Sequence, residues 1–495
     1  MPDRARSPLG IATTLVFIAF ASALSGCGSE EVGQPIETAN PGAGTMGNAG
    51  SPGGSTSPGG GASGAGSNAS GGSGGSGGGA GGSAIGGSAA AGAATAGTGG
   101  ASGSSTGGTG GTAPSDGCGA GSWTCIDVDG PDGYGSHTFE VPAQQNWVNT
   151  GLYLKKGQTA LLSESGTWQL DDIGDGIDHG SCKVGELVAR IGLYYKDAQL
   201  TCVKGQSELT AQRDGILFVG ALAGNDLGET YETRATASGK KSVTVMSDGS
   251  TVPTVLGEAA ATYDFDGVKS GWVEVWGKHV ILTLPTASAR KDAAVLARAT
   301  SRLDAIYELE AELRSALPHH GQRIRFFPDG TQPGYMLAGN PVRMATTLVD
   351  GGDKTRISRS GEAGTDIWGF AHEMGHDFSF APHGFWTYQE NTLESWPNVF
   401  AIYALESLNQ PLNDSTTDCT QASTGSYDTW DAWGGLCFLR QFQFRYGWDF
   451  YEKYFQQIKD TKSDGGQPWT FLRAQFEAAA GEDVSPIFEA WGVPE

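Results

Sequence analysis

The chain has 495 residues, enough for two or three domains, and carries a formal net charge of -23 from 54 acidic against 31 basic side chains. A balance this acidic argues against nucleic acid or an anionic lipid surface as a partner, because both are polyanions. Composition is uneven: glycine, serine, alanine and threonine dominate residues 28–117, where almost no aromatic or charged side chain occurs.

The N-terminus opens with Arg4 and Arg6, continues in an apolar run from Leu9 to Leu24, and reaches Leu24-Ser25-Gly26-Cys27. This has the form of a bacterial lipoprotein signal over residues 1–27, in which Cys27 becomes the lipidated first residue after cleavage. A membrane-spanning anchor is the weaker alternative, since the run is short for a span and sits at the extreme N-terminus. Gly28-Ser29 lacks the aspartate that retains many such lipoproteins in the inner membrane, which favours the outer membrane or cell surface. Residues 28–117 cannot bury enough apolar surface to offset chain entropy and read as a disordered tether. Its r.m.s. reach is on the order of 50 Å.

Besides Cys27, the cysteines are Cys118, Cys125, Cys182, Cys202, Cys419 and Cys437. An even number in an exported chain favours three disulfides, and pairing sequence neighbours gives Cys118 with Cys125, Cys182 with Cys202, and Cys419 with Cys437 as the simplest arrangement. No C-x-x-C occurs, which argues against a cysteine zinc site.

Residues 118–284 show short apolar or alternating runs between glycine turns: Gly151 to Gly157, Thr159 to Leu162, Leu187 to Leu193, Gly215 to Leu222 and Lys241 to Met246. These predict strands, and their spacing predicts an antiparallel β-sandwich. Trp272 to Leu284 reads as a hairpin closed by Pro285. Beyond it, in residues 285–495, the period becomes helical. Ala289 to Leu317 predicts one long helix, and Ile324 to Phe327 a short strand. Gly334 to Pro341 reads as a loop or strand edge. A helix bearing His372 and His376 follows, with Thr365 or Asp366 available to cap it, and then helices at Val399 to Leu408, Leu436 to Tyr446, Phe450 to Ile458 and Pro468 to Ala480. The fold class is α+β: an N-terminal antiparallel β-sandwich followed by a mostly helical domain.

The chemistry is carried by His372-Glu373-Met374-Gly375-His376. On a helix the two imidazoles stand at i and i+4 on one face and can share one Zn²⁺, while Glu373 is placed to act on the water the ion carries. Two histidines on a helix without a metal are the plainer alternative, but flanking apolar residues leave one face for both rings. A third ligand comes from downstream. Glu394 is the leading candidate, with Asn398 one helical turn onward, where its amide can bond a ligating histidine. Glu390 and His383 are rivals. Pro382 stands where the third histidine of an H-E-x-x-H-x-x-G-x-x-H pattern belongs, and Ser379 where its glycine belongs. Pro397 requires Glu394 to sit in the helix's first turn or at a distortion. Three protein ligands leave one metal position for water, whose proton Glu373 removes and passes to the leaving amine. Tyr335, Tyr388 and Tyr403 are candidate oxyanion donors that the sequence does not separate from core aromatics.

At these residues the chain resembles the enhancin-like and AcfD-type mucin-directed zinc metallopeptidases, which are gluzincins. The resemblance rests on Trp147 to Thr159, on Gly334 to Pro341, on Trp368-Gly369 ahead of His372, and on Glu394 with Asn398. It implies that His372, His376 and Glu394 hold zinc, that Glu373 is the acid/base, and that the substrate is a heavily O-glycosylated protein recognised partly through its glycans. The β-rich half is similar to that family's N-terminal sandwich and, more loosely, to galactose-binding lectins. Under that likeness Asp226 and Thr230 fit a Ca²⁺ or glycan loop, against an ordinary polar turn. The expected protein is a monomeric, surface-tethered zinc endopeptidase. The alternative is a carbohydrate-binding adhesin with weak or no peptidase activity, against which the intact Glu373 argues.

Overall fold

The computed structural model describes residues 134–493, except for 146, 171–179, 195–199, 223–236, 332–333, 381–392, 411, 413–418, 420–426, 428–429 and 462–466. Cys27, the tether, Cys118, Cys125, Asp226, Thr230, His383, Tyr388 and Glu390 therefore lie outside the described residues.

Among the described residues there are three sheets. The first is antiparallel, in the order β1 (Gly135–Pro142), β8 (Ser238–Ser247), β3 (Thr159–Gln169), β6 (Gln206–Thr210). The second runs β5 (Leu200–Cys202), β4 (Leu187–Ile191), β7 (Gly215–Ala221), β2 (Val148–Leu154), β9 (Ser250–Thr251). Leu162, Val243 and Val245 of the first sheet share a buried cluster with Leu152, Leu187, Leu217 and Val219 of the second. Strand β7 is buried on both faces, and the two-residue period of a strand explains how. Leu217 and Val219 turn toward the first sheet, while Ile216 and Phe218 turn toward Phe327 in the C-terminal half.

The third sheet is mixed, in the order β10 (Thr254–Leu256), β11 (Trp272–Trp276), β12 (Val280–Pro285), β13 (Ile324–Pro328), β15 (Val342–Met344), β14 (Met336–Leu337). The hairpin expected at Trp272 to Leu284 is β11 with β12. It continues in parallel pairing from β12 to β13 and from β13 to β15. Met336 and Leu337 make the edge strand, antiparallel to β15. The loop-or-edge reading of Gly334 to Pro341 thus resolves into an edge strand followed by a loop.

The single helix expected from Ala289 to Leu317 is two, α1 (Thr286–Lys291) and α2 (Ala293–Arg314). They divide at Asp292, a buried carboxylate gripped by Arg356 Nε and Nη2 at 2.9 and 3.0 Å and by Ser358 Oγ at 2.6 Å. A helical apolar period cannot reveal such a break, because the residue responsible is polar and its partners are distant in sequence. After the short α3 (Thr347–Asp350) come α4 (Trp368–Phe380) and α5 (Ser395–Ser407). The remainder is α6 (Ala432–Tyr446), α7 (Trp448–Ile458), α8 (Pro468–Ala480) and α9 (Ser485–Ala490). One large buried cluster joins the helices to β10, β11, β12, β13 and β15. Two of the expected disulfides are present, Cys182 with Cys202 and Cys419 with Cys437.

The second and third sheets meet over aromatic rings. Phe327 packs edge-on to Tyr194 and Phe218 and stacks on Trp272. The seam is also pinned by polar contacts: Arg343 Nε donates to the Leu193 carbonyl at 2.7 Å, and Gln322 Nε2 to that of Gln144 at 2.6 Å.

Candidate metal centre

Helix α4 begins where Asp366 Oδ1 accepts the Trp368 N–H at 3.1 Å, one of the groups a helix start leaves unbonded. Asp366 is thus the capping side chain of the two expected. Phe370, Ala371, Met374 and Phe378 are buried in the helical core. The face of His372, Glu373 and His376 is left to line the site. The two rings stand perpendicular, with centroids 4.8 Å apart.

Glu394 arrives as the N-cap of α5, just ahead of Ser395. Its position is set by the next residues. Trp396 is fully buried among Tyr451, Tyr454, Phe455 and Phe476 of α7 and α8. Pro397 is the third helical residue, within the first turn, where a missing N–H leaves no helical hydrogen bond unmade. The proline that looked awkward in the sequence is therefore accommodated.

Glu394 Oε2 lies 3.2 Å from His372 Nε2 and 3.3 Å from His376 Nε2. These three residues are the only group of at least three His, Cys, Asp or Glu among the described residues that could hold one metal ion. The spacing suits an ion. With bonds of about 2.0–2.1 Å, neighbouring ligands of a tetrahedral zinc are separated by roughly 3.3 Å. His376 is buried while Glu394 is exposed, so the cluster opens to solvent on the carboxylate side.

Asn398 fixes the tautomer of His372. Its Nδ2 donates to the Glu394 carbonyl at 2.8 Å, and a carbonyl can only accept. Its Oδ1 therefore faces His372 Nδ1 at 2.8 Å, so that ring nitrogen carries the proton and Nε2 presents a lone pair toward Glu394 and His376.

The electrostatics reflect close packing of opposite charges. Burial disfavours a cationic His376, yet the charge and hydrogen bond of Glu394, with Glu373 and Asp377 behind, outweigh it and push the imidazole up to about 9. Burial also acts against the Glu394 carboxylate, but the two histidines hold it well below the usual carboxylate range. Desolvation raises Glu373, partly offset by His372 and His376. These directions are what two imidazoles packed against two carboxylates in a largely desolvated cluster produce.

Tyr403 packs on Trp448 inside the helical core, which marks it as structural. Tyr335 is exposed and lies beside the first turn of α4. The importance of Gly375, between the two histidines, was not read from the sequence. A Cβ there would come within 2.6 Å of the Pro397 carbonyl oxygen, so glycine permits α4 and α5 to approach closely. The signal available was a small residue inside the motif.

Residues 263–492, which contain all of these side chains, match the family Peptidase M60, enhancin and enhancin-like. This segment is similar to enhancin-like peptidase M60 domains. Over 408 residues the chain is 22% identical to a TRPM8 channel-associated factor homolog of Xenopus laevis, covering 74% of this chain and 40% of that protein. It is 25% identical over 382 residues to TRPM8 channel-associated factor 3 of Mus musculus, covering 70% and 38%. The chain thus spans about two fifths of the length of these relatives. A functionally unknown conserved protein from Bacillus anthracis str. Ames shares the fold with a TM-score of 0.50 at 14% identity, covering 72% of this chain and 76% of that one.

Proposed function

We propose that the protein is a zinc-dependent endopeptidase of O-glycosylated, mucin-type glycoproteins, exported and tethered to the outer membrane or cell surface through lipidated Cys27, and acting as a monomer. The observation that carries the catalytic part is the convergence of His372, His376 and Glu394 on one point with Glu373 beside it on the same helix. The enhancin-like peptidase match supports peptide-bond hydrolysis. The glycoprotein substrate follows from the family resemblance, and the tether from the N-terminal sequence. The first and second sheets, from Gly135 to Thr251, are read as a β-sandwich accessory unit; β10, β11 and most of β12 fall inside the expected 118–284 domain but pair with the sheet of the C-terminal half.

A zinc ion held by these three ligands would supply a Lewis acid and lower the pKa of a bound water to about 7. The protein's own contribution is positional. Asn398 holds His372 in one tautomer and His376 is fixed by burial. Glu373, raised by desolvation, has the proton affinity to take a proton from the attacking water and deliver it to the leaving amine as the C–N bond breaks. The hydroxyl stays on the carbonyl carbon and both products leave neutral in sum.

The test is incubation of the protein with a mucin-type glycoprotein and its deglycosylated form, with and without a zinc chelator, alongside Glu373→Gln. Cleavage that requires the glycan, stops with chelator and is restored by zinc supports the reading, as does a Glu373→Gln protein that keeps its metal and loses nearly all turnover. Binding without cleavage would favour the adhesin, and chelator-insensitive cleavage would remove the metal.

A further inference from the structure

The edge strand β14 packs against α4, the helix of His372 and His376, with Met336 seated at Gly369. Gly369 precedes His372, Glu373 and His376 by three, four and seven residues, spacings that keep all four on one stripe of α4. A Cβ on Gly369 would fall 2.2 Å from Met336 Cε and 3.9 Å from its Sδ, with Tyr335 Cε1 at 3.7 Å. The Met336 thioether therefore occupies the space where a side chain at residue 369 would stand, one helical turn from His372. Met336 is only partly buried and Tyr335 is 43% exposed, so this contact reaches the solvent-facing side of α4 as well as the core.

We propose that Met336 is a specificity-determining residue: its terminal methyl, seated on Gly369, sets the depth of the subsite that receives a substrate side chain flanking the scissile bond, and restricts it to small residues. This rests on the endopeptidase reading above. An apolar, unbranched thioether suits the task because it fills the notch left by a glycine without a polar group to satisfy. Removing it opens a volume of about three heavy atoms beside the reacting bond. Adding a methyl to Gly369 pushes the flexible end of Met336 into the cleft and narrows the same subsite, so the two changes act in opposite directions.

The experiment compares cleavage-site profiles on one mucin-type glycoprotein, read by mass spectrometry, for the full-length wild type, Met336→Ala, Met336→Leu and Gly369→Ala, with metal content and thermal unfolding recorded for each. The expected result is a preference for small side chains at one flanking position in the wild type. Met336→Ala should shift that position toward Leu and Phe by about tenfold or more in kcat/KM ratio. Met336→Leu should stay close to wild type, and Gly369→Ala should sharpen the preference for small residues. Superimposable profiles, or a parallel loss for all substrates at unchanged metal content, would overturn the proposal. If Met336→Ala does not fold, the direction of the Gly369→Ala shift decides it. A metal-loaded wild type that cleaves nothing removes the endopeptidase reading and this proposal together, whereas an active wild type with unchanged variant profiles removes only this one.

Discussion

Gly375 of α4 lies directly against Pro397 of α5, so close that a Cβ on the glycine would stand 2.6 Å from the proline's carbonyl oxygen and 3.0 Å from its Cα. The obstruction is backbone, which cannot swing aside. Gly375→Ala must therefore separate the helix that carries both histidines from the turn that carries Glu394. The expected cost is about 1–3 kcal/mol of stability, from overpacking, with a metal affinity lowered at least tenfold. Gly352→Ala, where a Cβ meets nothing within 4 Å, is the control and should change neither. Denaturant unfolding and metal titration of the two variants check this. Wild-type metal affinity in Gly375→Ala would show that the close approach is incidental.

Asn398 bonds both a ligand ring and the backbone of the third ligand. Asn398→Ala leaves His372 Nδ1 without its acceptor and frees the ring to change tautomer. The expectation is a roughly 10- to 100-fold loss of metal affinity with little change in global stability. Asn398→Asp, which keeps an acceptor for Nδ1, should retain more of the affinity than alanine. Competition with a chromophoric chelator distinguishes the two, and equal losses would contradict an orienting role.

Protons compete with the metal. In the metal-free chain His376 is raised to about 9, so at pH 7 its imidazole is charged and must lose a proton when an ion binds. Glu394, held low, is already ionised and releases none. Metal affinity should therefore rise about tenfold per pH unit through neutrality and level off above pH 9. The sign for stability follows from the same shift. A folded-state value above the unfolded one favours the metal-free fold at pH below the ordinary histidine range, and that contribution is lost as pH rises through about 9. Calorimetric titrations in buffers of different ionisation heat, at pH 7 and pH 10, measure the released proton directly. Equal release at both values would contradict this assignment.

The grouping of His372, His376 and Glu394 was legible because its grammar is local. The i, i+4 pairing of His372 and His376, and the one-turn step from Glu394 to Asn398, each lie on a single helix whose period the sequence shows. The strands from Gly151 to Met246 were legible for the same reason. What could not be read was pairing over distance. The break at Asp292 depends on Arg356 and Ser358, more than 60 residues away, and the joining of β12 to β13 across α1 and α2 leaves no mark in either strand. Gly369 and Gly375 look alike in the sequence. Only the contacts show that one meets a flexible thioether and the other an immovable carbonyl.

Phe327 sits where the second and third sheets meet, 2% exposed among Tyr194, Phe218 and Trp272. Phe327→Ala should cost about 3–5 kcal/mol, the range for removing a buried aromatic ring. Unfolding followed at two probes, one in each half, should show both transitions moving together. A shift confined to one half would mean that the seam does not couple them.

The central claim is that one metal ion is bound by His372, His376 and Glu394 together. Elemental analysis of the purified full-length protein tests it most directly, with His372→Ala, His376→Ala and Glu394→Ala beside the wild type. The account predicts one equivalent of zinc in the wild type and a loss of nearly all of it in each variant, with the fold retained. A wild type that binds no transition metal when zinc is supplied, or a Glu394→Ala protein that holds it undiminished, would contradict the account.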